Sequence, residues 1–296
     1  MAKQFSRHFM VEQITPITAS AALSEFDALL RQTDPLAASH SPGIAEGRCF
    51  GIWRDKKLTT AIFLNPEYEG LAETACYICC HPERDAVFPM AEFRRWLQRI
   101  GQEQSHPNGF VLILSNRNEG LISHLSGKDY NLGFTLENYR IDQQFFSPAA
   151  CSVTRRPFEA AHKYRYLSLW AHGFEALRRR IGLQPFLWAS EYPEQALEEI
   201  TPYIDKGSFH AYWLDDEPVG LAWHDKNYIA NIVVTPARQN RGIGGQILGH
   251  LLPYIFTETG MDHAVLEVVG DNHAALRFYE RYGFQKQSSL SLLWPI

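Results

Sequence analysis

The sequence predicts an α/β protein made of two tandem copies of one mixed strand-and-helix unit. Three observations carry this. Short apolar runs with strand patterning alternate with helix-spaced segments along the chain, and the order in the second half repeats the order in the first. Two landmarks also recur at offsets near half of the 296 residues: a strand ending at proline before a long helix (Pro82, Pro236) and a Gly-Phe pair before the last strands (Gly133-Phe134, Gly283-Phe284).

In the first half, "FMVEQI" reads as a strand and "SAALSEFDALLRQ" as a helix. "RCFGIWRD" and "LTTAIFL" form strands joined by the Asp55-Lys56-Lys57 turn, and "AETACYICC" is a further strand. Helix "AEFRRWLQRIGQ", strand "GFVLILSN", short helix "EGLISHLS" and closing strand "GFTLENYRI" complete it. The second half opens with "CSVTRR" and the helical segments "YRYLSLWAHGFEALRRR" and "PEQALEEITPYI". Strands "SFHAYWLDD" and "PVGLAWHD" flank the Asp216-Glu217-Pro218 turn, and "YIANIVV" follows. Helix "GQILGHLLPYIF", strand "HAVLEVV" and helix "HAALRFYERY" lead to a final hairpin of "GFQKQ" and "SLSLLW". The joint falls in Asp142–Cys151, which carries a proline and small residues, so domains of 1–145 and 150–296 are expected.

Composition narrows the function classes. Apolar residues make up 45% and aromatic residues 13%, which predicts packed cores. The formal charge of −5 argues against a general nucleic-acid binder, and Arg178-Arg179-Arg180 reads as a solvated helix face. No apolar stretch is long enough for a signal peptide or a membrane span, so a cytoplasmic protein without membrane partners is expected. In "CYICCH", strand alternation turns Cys76 and Cys80 one way and Cys79 the other, and no second ligand pair follows at zinc spacing. Reduced core cysteines and no metal are expected.

The segment "VVTPARQNRGIGGQIL" places glycines and cations between a strand and a helix. The first N–H groups of a helix lack partners within it and favour an anion. Gly242, Gly244 and Gly245 let backbone come close, and Arg238 and Arg241 add charge, so a phosphate or pyrophosphate is the expected occupant. A Walker loop needs Gly-Lys-Ser/Thr, which is missing, and a dinucleotide fingerprint needs a third glycine where Ile247 stands.

The spacing V-x-P-x-x-Q-x-x-G-I-G-x-x-I-L resembles the coenzyme A pyrophosphate loop of the GNAT superfamily of N-acetyltransferases. A second stretch, "LEVVGDNHAALRFYERYGF" (Leu266–Phe284), is similar to that family's next motif. The resemblance is close over about the last 90 residues and follows element order over the rest of the second half. It implies a mixed, splayed sheet with helices on both faces. It also implies acetyl-CoA as co-substrate, held by backbone of Ile232, Val233 and Val234 along the pantetheine arm. The diphosphate would lie on Gln239, Asn240, Arg241, Gly242, Ile243, Gly244 and Gly245, with Asn272 and Tyr279 completing the set.

Asn272 is placed to cap the helix after it, and Tyr279 lies two turns on. Tyr279 is either a half-buried aromatic contact or, as the resemblance implies, the acid that protonates the leaving sulfur. Glu267 lies in a strand otherwise apolar on both faces, where burial raises a carboxylate's pKa and suits it as the base. The alternative is a Glu bonded at the strand's mouth. His210, His224, Asp215 and Asp216 are rival bases. The resemblance implies an N-acetyltransferase acting on a primary amine by direct attack. The acceptor is a small molecule or a peptide or protein amine, and the chain is a monomeric pseudo-dimer or a homodimer. A non-catalytic acyl-CoA sensor using the same cradle is the alternative.

Aligning Pro82 with Pro236 sets Phe88 against Gly242, Met90 against Gly244 and Asp85 against Gln239. Large side chains would fill the phosphate space, and no tyrosine stands seven residues after Asn118. The first half therefore reads as a degenerate GNAT-like domain without a coenzyme site.

Overall fold

The computed structural model describes residues 14–17, 20–33, 49–65, 74–81, 88–103, 109–146 and 152–296. The expected strand Phe9–Ile14 and the cradle-equivalent Asp85 lie outside these residues, apart from Ile14. The chain forms two compact units, one of residues 1–133 with 290–296 and one of residues 134–289.

The first unit contains β1 (Ile14–Pro16), α1 (Ser20–Thr33), β2 (Cys49–Arg54), β3 (Lys57–Asn65), β4 (Thr74–Cys80), α2 (Met90–Glu103), β5 (Phe110–Ser115) and α3 (Glu119–Leu125). The β2–β3 turn holds Asp55 and Lys56 at positive φ, the left-handed pair that a tight hairpin needs. Strands β1 to β5 are neighbours in sequence order, with β4 and β5 parallel. Phe26 and Leu29 of α1 pack on one face with Leu58, Phe63 and Cys79. Phe93, Trp96 and Ile100 of α2 pack on the other with Cys76, Ile78 and Leu112. Cys76 and Cys80 thus face one core and Cys79 the other, as strand alternation requires.

The second unit contains β7 (Thr154–Arg156), α4 (Lys163–Arg180), α5 (Trp188–Glu191), α6 (Pro193–Asp205), β8 (Phe209–Leu214), β9 (Glu217–Asp225), β10 (Tyr228–Val234), α7 (Ile243–Thr259), β11 (His263–Val269) and α8 (His273–Arg281). Helices α4 to α6 cover one sheet face through Leu167, Trp170 and Ile200 against Phe209, Trp213 and Trp223. Helix α7, apolar on nearly all sides, covers the other through Ile247, Leu251 and Ile255 against Tyr212, Ile229 and Leu266.

Two expectations are corrected. The final hairpin is one continuous strand, β12 (Gln285–Pro295), because residues 285–294 include no Gly, Pro, Asn or Asp to reverse the chain and Leu290 and Leu292 keep alternating into a core. The closing strand of the first half, β6 (Tyr130–Asp142), does not close that half. Residues Leu136–Asp142 run antiparallel to β11 in the second unit, while Leu290–Leu293 of β12 run antiparallel to β5 in the first. Each half's sheet is finished by the other half's last strand. The units therefore divide at Gly133/Phe134 and Ser289/Leu290 rather than in the 145–150 joint. Among the described residues, no helix is long and apolar enough to cross a membrane.

Candidate functional site

Strand β10 is the hinge of the site. It pairs in parallel with β11 only at Tyr228↔Val265 and Ile229↔Leu266. Its antiparallel register with β9 slips by one residue between Ile229 and Asn231 and then continues to Val234↔Gly220. The extra residue, Ala230, is a β-bulge, which bends and twists its strand. Beyond it the two parallel strands diverge into a fork.

The polarity of the fork follows from one hydrogen bond. Thr235 N–H donates to Val219 O on β9 at 3.0 Å, so strand alternation turns Val233 toward β9 as well. The N–H and C=O groups of Ile232 and Val234 then point into the fork. Val234 O accepts from Gln239 Nε2 at 3.0 Å, which ties the loop back to the strand. The N–H groups of Ile232 and Val234 are the donors that face the opening. Giving up about three ladder hydrogen bonds in a sheet interior costs on the order of 2–4 kcal/mol, a loss that a ligand lying along the open edge can offset.

The cradle follows directly. Asn240 (φ 59°) and Gly242 (φ 81°) both take left-handed backbone, and α7 begins at Ile243 with Gly242 as its cap. The first intrahelical donor with a partner is Gln246 N–H, to Gly242 O at 3.2 Å. The amides of Ile243, Gly244 and Gly245 are the helix's opening donors. A Cβ on Gly244 would sit 3.1 Å from the Phe278 ring, and one on Gly245 would overlap the Tyr282 hydroxyl at 1.8 Å. These two glycines therefore let the first turn of α7 dock on α8. Arg238 pairs with Glu217 at 3.2 Å, which leaves the exposed Arg241 as the cation at the loop's tip.

Helix α8 starts as expected. Asn272 Oδ1 accepts from Ala275 N–H at 3.3 Å, and Gly283 ends the turn at φ 92° with Phe284 returning to the core. Tyr279 is buried, its ring against Phe278 and Phe284, and desolvation holds its hydroxyl above the ordinary tyrosine range. It stays protonated at neutral pH and can donate its proton there.

Glu267 stands one residue past the last β10–β11 pair, at the vertex of the fork. Leu266 and Val268 share the α7-side core with Tyr279, so Glu267 projects from the opposite face. Tyr279 and Glu267 thus lie toward opposite faces of the sheet. The expected burial is corrected: Glu267 is half-buried, with Tyr228 Oη donating to its Oε2 at 3.5 Å, because its face of β11 lacks the covering that α7 gives the other.

The rival histidines lie elsewhere. His210 and His224 are buried against Tyr254 of α7, with ring centroids 5.5 Å apart. Burial, then Arg155 and His224, lower His210 to about 3, and burial also lowers His224. Both are neutral core groups on the α7 side, away from the face that carries Glu267. Asp215 and Asp216 form the β8–β9 turn, with Asp215 at φ 54°.

Two contributors were missed by sequence reasoning. Ala230 carried no signal, since a bulge leaves no residue signature. Gly173 did carry one, since a glycine inside a helix costs about 1 kcal/mol and marks a close approach. A Cβ there would lie 2.0 Å from Val233 Cγ2, so α4 rests directly on the diverging strand.

The same positions in the first unit are built differently. Strand β4 pairs with β5 without divergence from Thr74↔Phe110 to Ile78↔Leu114, and its register with β3 has no slip. Phe88 and Met90 pack on the core, with the Phe88 ring 5.1 Å from Phe93. Ile113 stands where Glu267 does, and Leu125 stands seven residues after Asn118; both are buried.

Comparison with known proteins agrees with this geometry. Residues 174–284 match the acetyltransferase (GNAT) family. The matched stretch spans the fork, the cradle, Glu267 and Tyr279. Among curated proteins none matches the sequence. The fold is similar to a GCN5-related N-acetyltransferase from Sphaerobacter thermophilus, with 13% identity over 95% of this chain and 94% of that one and a TM-score of 0.66. It is also similar to a GNAT-family acetyltransferase from Colwellia psychrerythraea (14% identity, 95% and 99% coverage, TM-score 0.51). A tandem GNAT protein from the clavulanic acid biosynthesis pathway shares it too (11% identity, 95% and 97% coverage, TM-score 0.53). Coverage of nearly the whole chain is consistent with two GNAT-like halves, and the GNAT match supports acyl transfer as the reaction class. Among the described residues, no three His, Cys, Asp or Glu side chains converge as a metal site would.

Proposed function

We propose that the chain is an acetyl-CoA-dependent N-acetyltransferase that moves the acetyl group to a primary amine by direct attack, and that only the second half binds the coenzyme. The observation that carries this reading is the fork at Ala230 opening onto the amide-lined start of α7. Gln239 to Gly245 would take the diphosphate on backbone N–H groups, Arg241 would add charge, and the pantetheine arm would lie along Ile232–Val234 with Asn272 and Tyr279 beside it.

Chain residues account for the proton balance. An ammonium acceptor arriving on the Glu267 face gives up a proton to Glu267, directly or through water, and its lone pair attacks the thioester carbon. Val234 N–H donates to the oxygen as it gains charge. The C–S bond breaks as the sulfur takes the Tyr279 proton on the opposite face; the nitrogen gives its second proton to solvent, from which Tyr279 is reprotonated, and Glu267 returns its own proton to solvent after the products leave. Products are the N-acetyl amine and free coenzyme thiol, and no acyl-enzyme forms.

The test is thiol release from acetyl-CoA by the purified full chain with spermidine, tyramine, lysine and a tetrapeptide with a free N-terminus. Amine-dependent release supports the transferase. Tight acetyl-CoA binding with no release from any of the four would replace it with the sensor reading.

A further inference from the structure

Strand exchange places a residue of the first half inside the transfer site. Asn138 lies within the span 1–145 that sequence assigns to the degenerate half, yet it sits on β6 in direct register with Glu267. Residues opposite each other in an antiparallel pair share a face, with Cβ atoms about 4.5–5.5 Å apart. Asn138 is 1% exposed, and its Nδ2 donates to Ser288 Oγ on β12 at 2.7 Å, which fixes the amide plane. On the other flank of Glu267 stands the Tyr228 hydroxyl. A polar row therefore runs across β10, β11, β6 and β12 on the face opposite α7: Tyr228, Glu267, Asn138, Ser288.

We propose that Asn138 is a positioning residue of the transfer site, an anchored neutral amide that holds the Glu267 carboxylate toward the fork. This rests on the reading of Glu267 as the base. It assigns β6 of the first half a part in the chemistry of the second. It also explains why this β6 position is polar and buried: a leucine here would leave Glu267 one flank short of a polar neighbour, and an acid would set two carboxylates side by side. Within this row Glu267 carries the one charge, and Arg140 farther along the same face of β6 is paired with Asp142, which suits a cationic acceptor at Glu267.

The experiment follows the Glu267 carboxyl by ¹³C NMR in the full chain labelled at glutamate, with the signal assigned by Glu267→Gln. It needs neither coenzyme nor acceptor, so it stands apart from the turnover test. Asn138→Asp should raise the Glu267 titration midpoint by roughly one unit through like-charge repulsion. A midpoint that does not move overturns the proposal. Asn138→Leu, similar in shape, serves if the aspartate variant fails to fold. It should lower kcat about tenfold on whichever of the four panel amines is turned over, with coenzyme affinity unchanged. Unchanged kcat, or a loss confined to coenzyme affinity, overturns the proposal as well.

Discussion

Strands β4 and β10 occupy the same place in two copies of one plan, and they differ by one residue of register. In the first unit, β4 stays zipped to β5 through Ile78 and its cradle position is filled by Phe88. In the second, Ala230 throws β10 out of line after Ile229, and the strand arrives at a glycine turn and an open helix end. The zipped half keeps its ladder hydrogen bonds, while the forked half gives them up and leaves backbone donors open. Under the proposed function, the fork is the difference between a half that would bind the coenzyme and a half that would not.

Deleting Ala230 should sharpen this most. Ile229↔His224 would be followed by Asn231↔Trp223 without a slip, so both flanks keep their faces and β10 can continue along β11. Coenzyme binding and turnover should both fall below detection, read by calorimetry and thiol release, while circular dichroism stays native. Retained binding in a folded deletion variant would break the link between bulge and fork. Gly242→Glu comes next. It puts a carboxylate where the diphosphate belongs, and a side chain at φ 81° costs about 1–2 kcal/mol. Affinity for CoA should fall by about 100-fold or more with the fold intact, since the space around this position is open. Tyr279→Phe should lower kcat about 100-fold and leave coenzyme affinity within about twofold. Equal losses in both would make Tyr279 a packing residue like its ring neighbours.

A smaller effect concerns acid stability. His210 sits at about 3 in the folded chain against an ordinary value near 6.5, so the stability tied to its neutral form is full above the unfolded value and is lost as pH falls below it. By pH 5 the loss is ~2 kcal/mol, at 1.36 kcal/mol per unit. His210→Phe should flatten the fall of melting temperature between pH 7 and 5. An identical fall in wild type and variant would place the acid sensitivity elsewhere. In the first unit the buried Cys76 behaves oppositely, since burial pushes its thiol up and keeps it neutral across that range.

Much of this was legible in sequence because local chemistry wrote it there. The cap at Asn272, the left-handed Gly283, the glycines before α7 and the opposed faces of Cys76 and Cys79 each follow from a single residue type at one position. The final hairpin and the 145–150 joint misled because strand pairing is a long-range choice. Leu290 and Leu292 alternate equally well in either sheet, and only tertiary structure sends them to β5. Gly133 and Gly283 matched as letters but serve different ends. Gly283 takes left-handed backbone after a helix, while Gly133 lies within β6 and leaves room for the Trp294 ring, which would come within 2.4 Å of a Cβ. Glu267 was correctly placed on its strand and wrongly taken as buried, because the run "AVLEVV" does not tell which face a helix covers.

The most direct measurement is the stoichiometry of CoA binding to the full chain by isothermal titration calorimetry. One forked half and one zipped half require a single site per chain, abolished by Gly242→Glu. A titration that evolves no heat in folded protein, or that saturates at two sites per chain, would contradict the assignment of the fork as the coenzyme's place.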